Sequence, residues 1–368
     1  MFEPKFNISN KLLTHIGSIE GSKAVIDSAP LIPAWEKTFQ QDATIRTVHY
    51  GTHLEGNDLS LSQAKMIFEN LEEGGFHKSA KTVAAQTGVT ARDRDIQEIL
   101  NYRKVLEYID SLKANTQRFT RYLDEEIKHI HKLTVDKILE PERAGIYRQS
   151  RVVVKDAATG EVTFTPPNPV EVPFQIEHFL EWLNSFVSKD VHPVLRAGIT
   201  HYELARIHPF VDGNGRVARA MATLVLHREN YDIKGFFSLE EHYDQKPGEY
   251  YQALQSVTNN NGDLTEWLEY FCFGLAQELE AVRQKVKELS MDERMLNRLG
   301  QQISLSERQI KLVEFMREHE ALFMKDAIKI FPMVSEDTIL RELKGLIEKE
   351  LVEKIGKTKG AYYVLKLS

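Results

Sequence analysis

Cysteine is nearly absent: one residue, Cys272, in a chain of 368. Without a partner it closes no intrachain disulfide, so stability rests on packing, and its place in the apolar run Tyr270–Leu275 marks it as a small buried hydrophobe. Long apolar runs are missing as well. None approaches the ~18 residues that cross a bilayer, and the opening segment MFEPKFNISN has no basic stretch followed by an apolar core. The expectation is a cytoplasmic protein with no membrane partner. Nor is there an excess of positive charge: 47 Lys and Arg stand against 54 Asp and Glu, a formal net charge of −7. That argues against a chain that coats nucleic acid or an acidic membrane with its whole body and leaves room only for a local basic patch. Internal repeats and low-complexity tracts are missing too. The composition that remains, 42% hydrophobic and 27% charged residues, is globular rather than disordered or fibrous. The length exceeds one hydrophobic core, so about two or three domains are expected.

Apolar residues recur at intervals of three and four over 59–72, 93–114, 121–138, 172–188, 193–207, 214–230, 249–258 and 264–289, the spacing of amphipathic helices. The expected fold is mainly α, a helical bundle. One interruption breaks it: Arg151–Lys155 and Glu161–Thr165 are short β-branched runs joined by Asp156–Gly160, which is hairpin chemistry. Pro166, Pro167, Pro169 and Pro173 then bar an immediate helix, so a β-hairpin flap should project from the helical body. After a charged stretch, Ser290–Gly300, the texture changes. Ser306–His319, Phe323–Phe331 and Ser335–Glu350 read as helices, Ser335 being an ordinary N-cap, and Leu351–Ile355 and Ala361–Leu365 as strands. Three helices followed by a hairpin is the order of a small winged helix-turn-helix domain, expected over 300–368.

The chemistry gathers in His208–Arg219, HPFVDGNGRVAR. Pro209 stops one helix, and Gly213 with Asn214 opens the next. Gly213 and Gly215, lacking side chains, let backbone N–H groups approach a phosphate at a helix N-terminus whose dipole already favours an anion. Arg216 and Arg219, three residues apart on one face, can clamp neighbouring phosphates. Asp212 offers a hard oxygen for Mg²⁺, which on a triphosphate asks for about one such carboxylate plus waters. His208, with an ordinary pKa of ~6.5, suits a general base. Singly, each residue has a plainer reading: a helix-end histidine, a turn, a solvated arginine. The joint order of base, aromatic, acid, glycine nest and two arginines is what points to an enzyme that transfers part of a nucleoside triphosphate.

This segment matches at every defined position the signature of Fic-domain proteins, H-P-F-x-[D/E]-G-N-[G/K]-R-x-x-R. The flap segment GIYRQSRVVVKDAATGEVTFTPPNPVEVP and the downstream GEYYQAL and NNNGDLTEWLEYF resemble the family's flanking segments, so the resemblance covers roughly 40–290. It implies a Fic catalytic core over 116–299 behind an N-terminal helical region, 1–115, and Mg²⁺-dependent transfer of AMP from ATP to a hydroxyl of a target protein or of the chain itself, with release of pyrophosphate. It makes His208 the base that removes the hydroxyl proton and Asp212 the Mg²⁺ ligand. Pro209 and Phe210 become structural residues of the loop, Phe210 packing inward. Asn214 and the amides around Gly213 and Gly215 would stabilise charge on the α-phosphoryl group, and Arg216 and Arg219 would hold the β- and γ-phosphates. The flap hairpin, 151–165, would pair with an extended segment of the target protein.

Upstream, Thr52-His53-Leu54-Glu55-Gly56-Asn57 resembles the family's inhibitory motif, [S/T]-x-x-x-E-[G/N]. The resemblance implies that Glu55 pairs with Arg219, takes the seat of the γ-phosphate and holds ATP in an unproductive pose; the same residue would alternatively position a water that removes AMP from modified proteins. One departure stands out, since Gly51 occupies the position of the expected Ser or Thr. The C-terminal module is close to neutral, with 12 Lys or Arg against 11 Asp or Glu over 306–368, where a DNA reader is usually basic. Its third helix opens with Glu336 and Asp337, although Arg341 and Lys344 lie further along and Lys354, Lys357 and Lys359 could straddle a phosphate backbone. DNA, a docking protein and a second copy of this chain are all open as partners, and a nucleotide-sensing transcriptional regulator is the rival function.

Overall fold

The computed structural model describes residues 2–29, 31, 33–70, 78–113, 121–155, 160, 162–298, 305–319, 321–349, 351–356 and 361–366. The chain forms two compact units, Met1–Lys287 and Glu288–Ser368.

In the first unit the helices are α1 (Asn10–Ser28), α2 (Pro33–His53), α3 (Leu61–Asn70), α4 (Ala80–Thr87), α5 (Asp93–Lys113) and α6 (Asp124–Thr134). The flap strands β1 (Val154–Lys155) and β2 (Val162–Phe164) follow, then α7 (Val172–Leu183), α8 (Phe186–Lys189), α9 (Pro193–Ile207), α10 (Asn214–Arg228), α11 (Leu239–Gln245), α12 (Pro247–Asn259) and the long α13 (Thr265–Arg298), whose last turns lie beyond Lys287. The centre is α9. His192 caps it by accepting the Val194 N–H, Pro193 opens its first turn, and its side chains are buried on nearly every face from Val194 to Leu204. Such an all-round buried helix must be covered on all sides. α10 packs along it, α5 and α6 pack on α10, and α2 packs on α5 and α11. α13 approaches α9 where Trp267 Nε1 donates to Gly198 O at 2.8 Å, and a Cβ at Gly198 would meet Leu268 at 2.8 Å.

The helical spans expected at 193–207 and 214–230 match α9 and α10 closely. The single helix expected over 172–188 is two, because Asn184 turns its side-chain amide onto Leu180 O and Tyr122 O and Ser185 caps a new turn by accepting from Ser188 N–H. Four helices were not anticipated from the apolar spacing: α1, α2, α4 and α11. The flap is an antiparallel pair with Val154 opposite Phe164 and Lys155 opposite Val162; its expected turn at Asp156–Gly160 lies largely outside the described residues. Pro169 and Pro173 do not delay helix for long, since Pro169 opens a 3₁₀ turn and Pro173 sits in the first turn of α7. Cys272 is buried in α13, as its apolar surroundings required. Among the described residues no helix is long and apolar enough to cross a membrane.

The second unit carries α14 (Glu307–His319), β3 (Leu322–Phe323), α15 (Met324–Ile330), α16 (Glu336–Glu348), β4 (Val352–Ile355) and β5 (Tyr362–Leu365). Ser335 caps α16 by accepting from Thr338 N–H. The antiparallel sheet runs β3-β5-β4, adding to the expected hairpin a two-residue strand that the sequence did not reveal. Leu312, Met316, Leu322, Ile339, Leu343 and Val352 form its own core.

Candidate active site

Two helix ends build the site. α9 ends at Ile207, and His208 follows in the left-handed region at φ 50 and ψ 59, which costs a residue bearing a Cβ about 1 kcal/mol. α10 opens behind Gly213, also left-handed at φ 76, where a Cβ would in addition press on Val135 and Thr134 at 3.2 and 3.3 Å. The loop between them is closed by Asn214, whose side-chain oxygen accepts the Phe210 N–H at 2.8 Å and whose amide donates to Phe210 O at 2.9 Å. Both polar atoms of that side chain are therefore committed to the loop. Asn214 also presents its backbone N–H at the start of α10.

Phe210 is fully buried and lies flat on the ring of His131, centroids 3.7 Å apart. His131 in turn accepts the Gly145 N–H at Nδ1 (2.8 Å), and its Nε2 lies 3.1 Å from Asp212 O. Accepting at one nitrogen and donating to a carbonyl from the other requires the neutral ring, and burial secures it by pushing the pKa down to about 4. His208 Nδ1 sits 3.3 Å from Ala205 O. A carbonyl only accepts, so Nδ1 carries the hydrogen and Nε2 keeps a lone pair. Burial lowers this pKa too, which favours the form that takes up a proton at neutral pH.

Arg216 and Arg219 do share the face expected of them, but neither is on the surface: they are 1% and 2% exposed. Arg216 meets Glu98 at 3.5 Å and Asp212 at 3.9 Å. Arg219 Nη2 donates both to Glu55 Oε1 (2.9 Å) and to Gly51 O (2.8 Å). Two guanidinium donors, Nε of Arg216 and Nε of Arg219, are buried with no hydrogen-bond acceptor among the described residues, and Nη1 of Arg216 has only the 3.5 Å approach of Glu98. Leaving such a donor unsatisfied costs about 1–3 kcal/mol, so groups kept this way call for a ligand that accepts. Glu55 lies directly over the start of α10, where a Cβ on Gly215 would stand 2.1 Å from its Oε1. A carboxylate thus caps the glycine-lined start of α10.

The departure at Gly51 has a steric cause. A Cβ there would fall 2.5 Å from Tyr102 Cε1, leaving no room for Ser or Thr. The neighbouring Thr52 does not substitute, because its buried hydroxyl turns back to Val48 O and His49 O in its own helix.

Asp212 Oδ2 accepts from Arg94 Nη2 at 3.0 Å, and Oδ1 accepts from Gly213 N–H at 2.6 Å. Its side chain is 35% exposed, open to an arriving ion. No group of three or more His, Cys, Asp or Glu among the described residues forms a ready metal cage. A lone reachable carboxylate fits Mg²⁺ carried in on phosphate oxygens rather than an ion held by the protein alone.

A model of the Fic/DOC family matches residues 122–226, a span that encloses the flap, His208 and both arginines. Residues 122–226 are a Fic/DOC domain. The chain is 29% identical over 254 residues to the protein adenylyltransferase Fic of Aedes aegypti and 26% identical over 272 residues to that of Culex quinquefasciatus. These alignments cover 69% and 74% of this chain but 44% and 48% of those proteins, so the chain spans less than half the length of the curated relatives it matches. Among solved structures, a Fic family protein from Desulfovibrio desulfuricans G20 superposes with a TM-score of 0.63 at 20% identity, covering 99% of this chain and 98% of that one. Fic-1 (residues 134–508) from C. elegans gives 0.54 at 23% identity over 77% and 73%. These two likenesses establish a shared fold.

Around the Fic loop stand four residues that the sequence reading did not single out: His131, Arg148, Arg94 and Glu98. Glu98 accepts from Asn57 Nδ2 (3.0 Å) and Arg94 Nε (3.1 Å) besides facing Arg216. The spacing Arg94, Glu98, Tyr102 on α5 is the only hint available, since it sets three polar groups on one helical face. His131 and Arg148 were not singled out, because their hydrogen-bond partners are backbone atoms.

Proposed function

We propose that this chain is a self-inhibited protein adenylyltransferase that transfers AMP from ATP to a Ser, Thr or Tyr hydroxyl of a target protein or of itself. The observation that carries this reading is the set of orphaned guanidinium donors of Arg216 and Arg219 beneath the glycine-lined start of α10, beside an imidazole with a free lone pair. The names of the curated relatives support it. In the proposed reaction the target hydroxyl forms a bond to the α-phosphorus, the bond to the bridging oxygen breaks, pyrophosphate leaves with that electron pair, and His208 Nε2 accepts the hydroxyl proton. Arg216, Arg219 and the N–H groups at Asn214 and Gly215 bind the phosphates, joined by that of Gly213 once Asp212 Oδ1 releases it; such preorganised donors matter because charge shifts among phosphoryl oxygens in the transition state. Asp212 would hold Mg²⁺ after releasing Arg94, and the ion, when bound, supplies charge neutralisation on the phosphates. Glu55 inhibits by occupying the phosphate position on Arg219.

The flap is the proposed docking strand for the target. Its exposed Val153 and Val162, 48% and 53% accessible, suit main-chain pairing with an extended segment. For the C-terminal winged helix the favoured partner is a protein, a second copy of this chain included, rather than DNA. Leu340 and Ile347 are exposed on the candidate recognition helix α16, whose first turn holds Glu336 and Asp337.

The test is incubation of the wild type, Glu55→Gly and Glu55→Gly/His208→Ala with ATP and Mg²⁺, followed by intact-mass analysis. The expected result is an added AMP on the Glu55→Gly protein and a loss of about 10²–10⁴-fold in its rate without the base. Equal labelling with and without His208 refutes the assignment of the base, and an adduct of another mass refutes AMP as the transferred group.

A further inference from the structure

Arg148 is a buried guanidinium that touches no acid among the described residues. It is 3% exposed, and no carboxylate among the described residues lies within ion-pair distance of it. Every acceptor it meets among the described residues is a backbone carbonyl: Nε donates to His208 O at 2.7 Å, Nη2 to Pro167 O at 2.6 Å and to Ile207 O at 3.4 Å, and Nη1 to Ser150 O at 3.2 Å. Its own backbone N–H donates to Pro209 O at 2.9 Å. These acceptors belong to three separate segments: the end of α9 with the histidine, the leg that enters β1, and the leg that leaves β2. Burying an unpaired cation is costly, and here it is compensated only by carbonyls whose positions the planar five-donor fork fixes.

Ile207, His208 and Pro209 are therefore all gripped by one residue, at the point where the backbone holds a left-handed histidine. A strained conformation persists only where its surroundings over-determine it. Arg148 also forms a wall of a groove of about 450 Å³ at the base of the flap, shared with Ile146, Pro169, Val170 and Pro173.

We propose that Arg148 is the positioning residue of the transfer reaction: it locks His208 in its left-handed conformation and ties both legs of the flap to it, so that the target-docking strand and the proton acceptor move as one body. Its role in transfer rests on the proposed adenylyltransferase reading. Its role in holding the loop to the flap does not, and the experiment separates the two.

Arg148→Lys and Arg148→Ala are made in the Glu55→Gly background, with melting temperature and ATP binding measured alongside. Lysine keeps the charge but not the fork. The expected result is that both variants lose about a hundredfold in kcat, the scale of a reacting group misplaced by about 1 Å, while KM for ATP moves by less than about threefold. Amide exchange at Val154 and Val162–Phe164 accelerates about tenfold or more, and the imidazole NMR shifts of His208 change. Methylguanidinium restores part of the rate to Arg148→Ala but not to Arg148→Lys. Lysine retaining full kcat overturns the proposal, because charge alone then suffices. Unaltered flap exchange together with unaltered His208 shifts overturns it as well. If the Glu55→Gly parent transfers no AMP, the adenylyltransferase reading fails, and exchange and imidazole shifts still decide whether Arg148 holds the two elements together. If Arg148→Ala unfolds, Arg148→Lys carries the same readouts.

Discussion

Removing the Glu55 carboxylate separates two costs that the resting structure combines. Glu55 Oε1 sits 2.9 Å from Arg219 Nη2, and the arginine side chain is 1% exposed. A hydrogen bond between charged groups contributes about 1.5–3 kcal/mol. A phosphate arriving at Arg219 must displace it, so its deletion should tighten nucleotide binding by about ten- to a hundredfold, at roughly 1.4 kcal/mol per decade. The free protein should lose stability, because a buried guanidinium loses its hydrogen-bonded counter-ion and keeps only the more distant Glu240 carboxylate, a change on the order of 3 kcal/mol. Bound nucleotide should restore it. Calorimetric titration with a non-hydrolysable ATP analogue and Mg²⁺ measures the first effect, and urea midpoints with and without the analogue measure the second. Glu55→Gln, which keeps the shape and loses the charge, should fall between wild type and Glu55→Gly in both. Unchanged nucleotide affinity in Glu55→Gly, with the Arg219 contact demonstrably gone, would refute the idea that this carboxylate occupies the phosphate seat.

Two further outcomes follow from the same geometry. In the Glu55→Gly background, Gly215→Ala should weaken ATP binding by about tenfold, since its methyl fills the space that Glu55 Oε1 takes at 2.1 Å and blocks close anion approach to the helix amides; equal affinity would move the seat elsewhere. His131 gives a pH signature. Its pKa is held down to about 4 in the folded chain against an ordinary value of ~6.5 when unfolded, so between those values the unfolded state binds the proton that the folded state refuses. Stability should be fully present above pH ~6.5 and fall as the pH drops towards 4, by up to about 3 kcal/mol from this ring. Urea midpoints across that window, compared with His131→Asn, check it, and parallel curves would dismiss the ring as a source.

The helical pair that frames the site was legible because Pro209, Gly213 and the apolar spacing of 193–207 and 214–230 are local signals. So was the flap, from β-branched runs bounded by glycine and prolines. α1 and α2 were not legible: their polar and apolar residues are mixed around the helix, with Ser22 buried beside Ile19 and Ile26, and tertiary contacts rather than periodicity hold them. Within the site, residue types announced phosphate chemistry, but not which atoms were free to perform it. That the Asn214 side chain ties the loop to Phe210 was not legible from its residue type. The burial of Arg216 and Arg219 was equally hidden, since it depends on α2 and α5 arriving from more than a hundred residues upstream. His131 and Arg148 act through carbonyls and amides, which carry no sequence label at all.

One nitrogen, Arg219 Nη2, holds both Gly51 O at the end of α2 and the Glu55 carboxylate. A ligand that claims it loosens a helix terminus and evicts the acid in the same event. The corner after α2 is thus pinned to α10 of the Fic/DOC domain, and on the proposed reading mutations on its solvent side would retune how often the site is vacant while the residues proposed to bind nucleotide stay as they are.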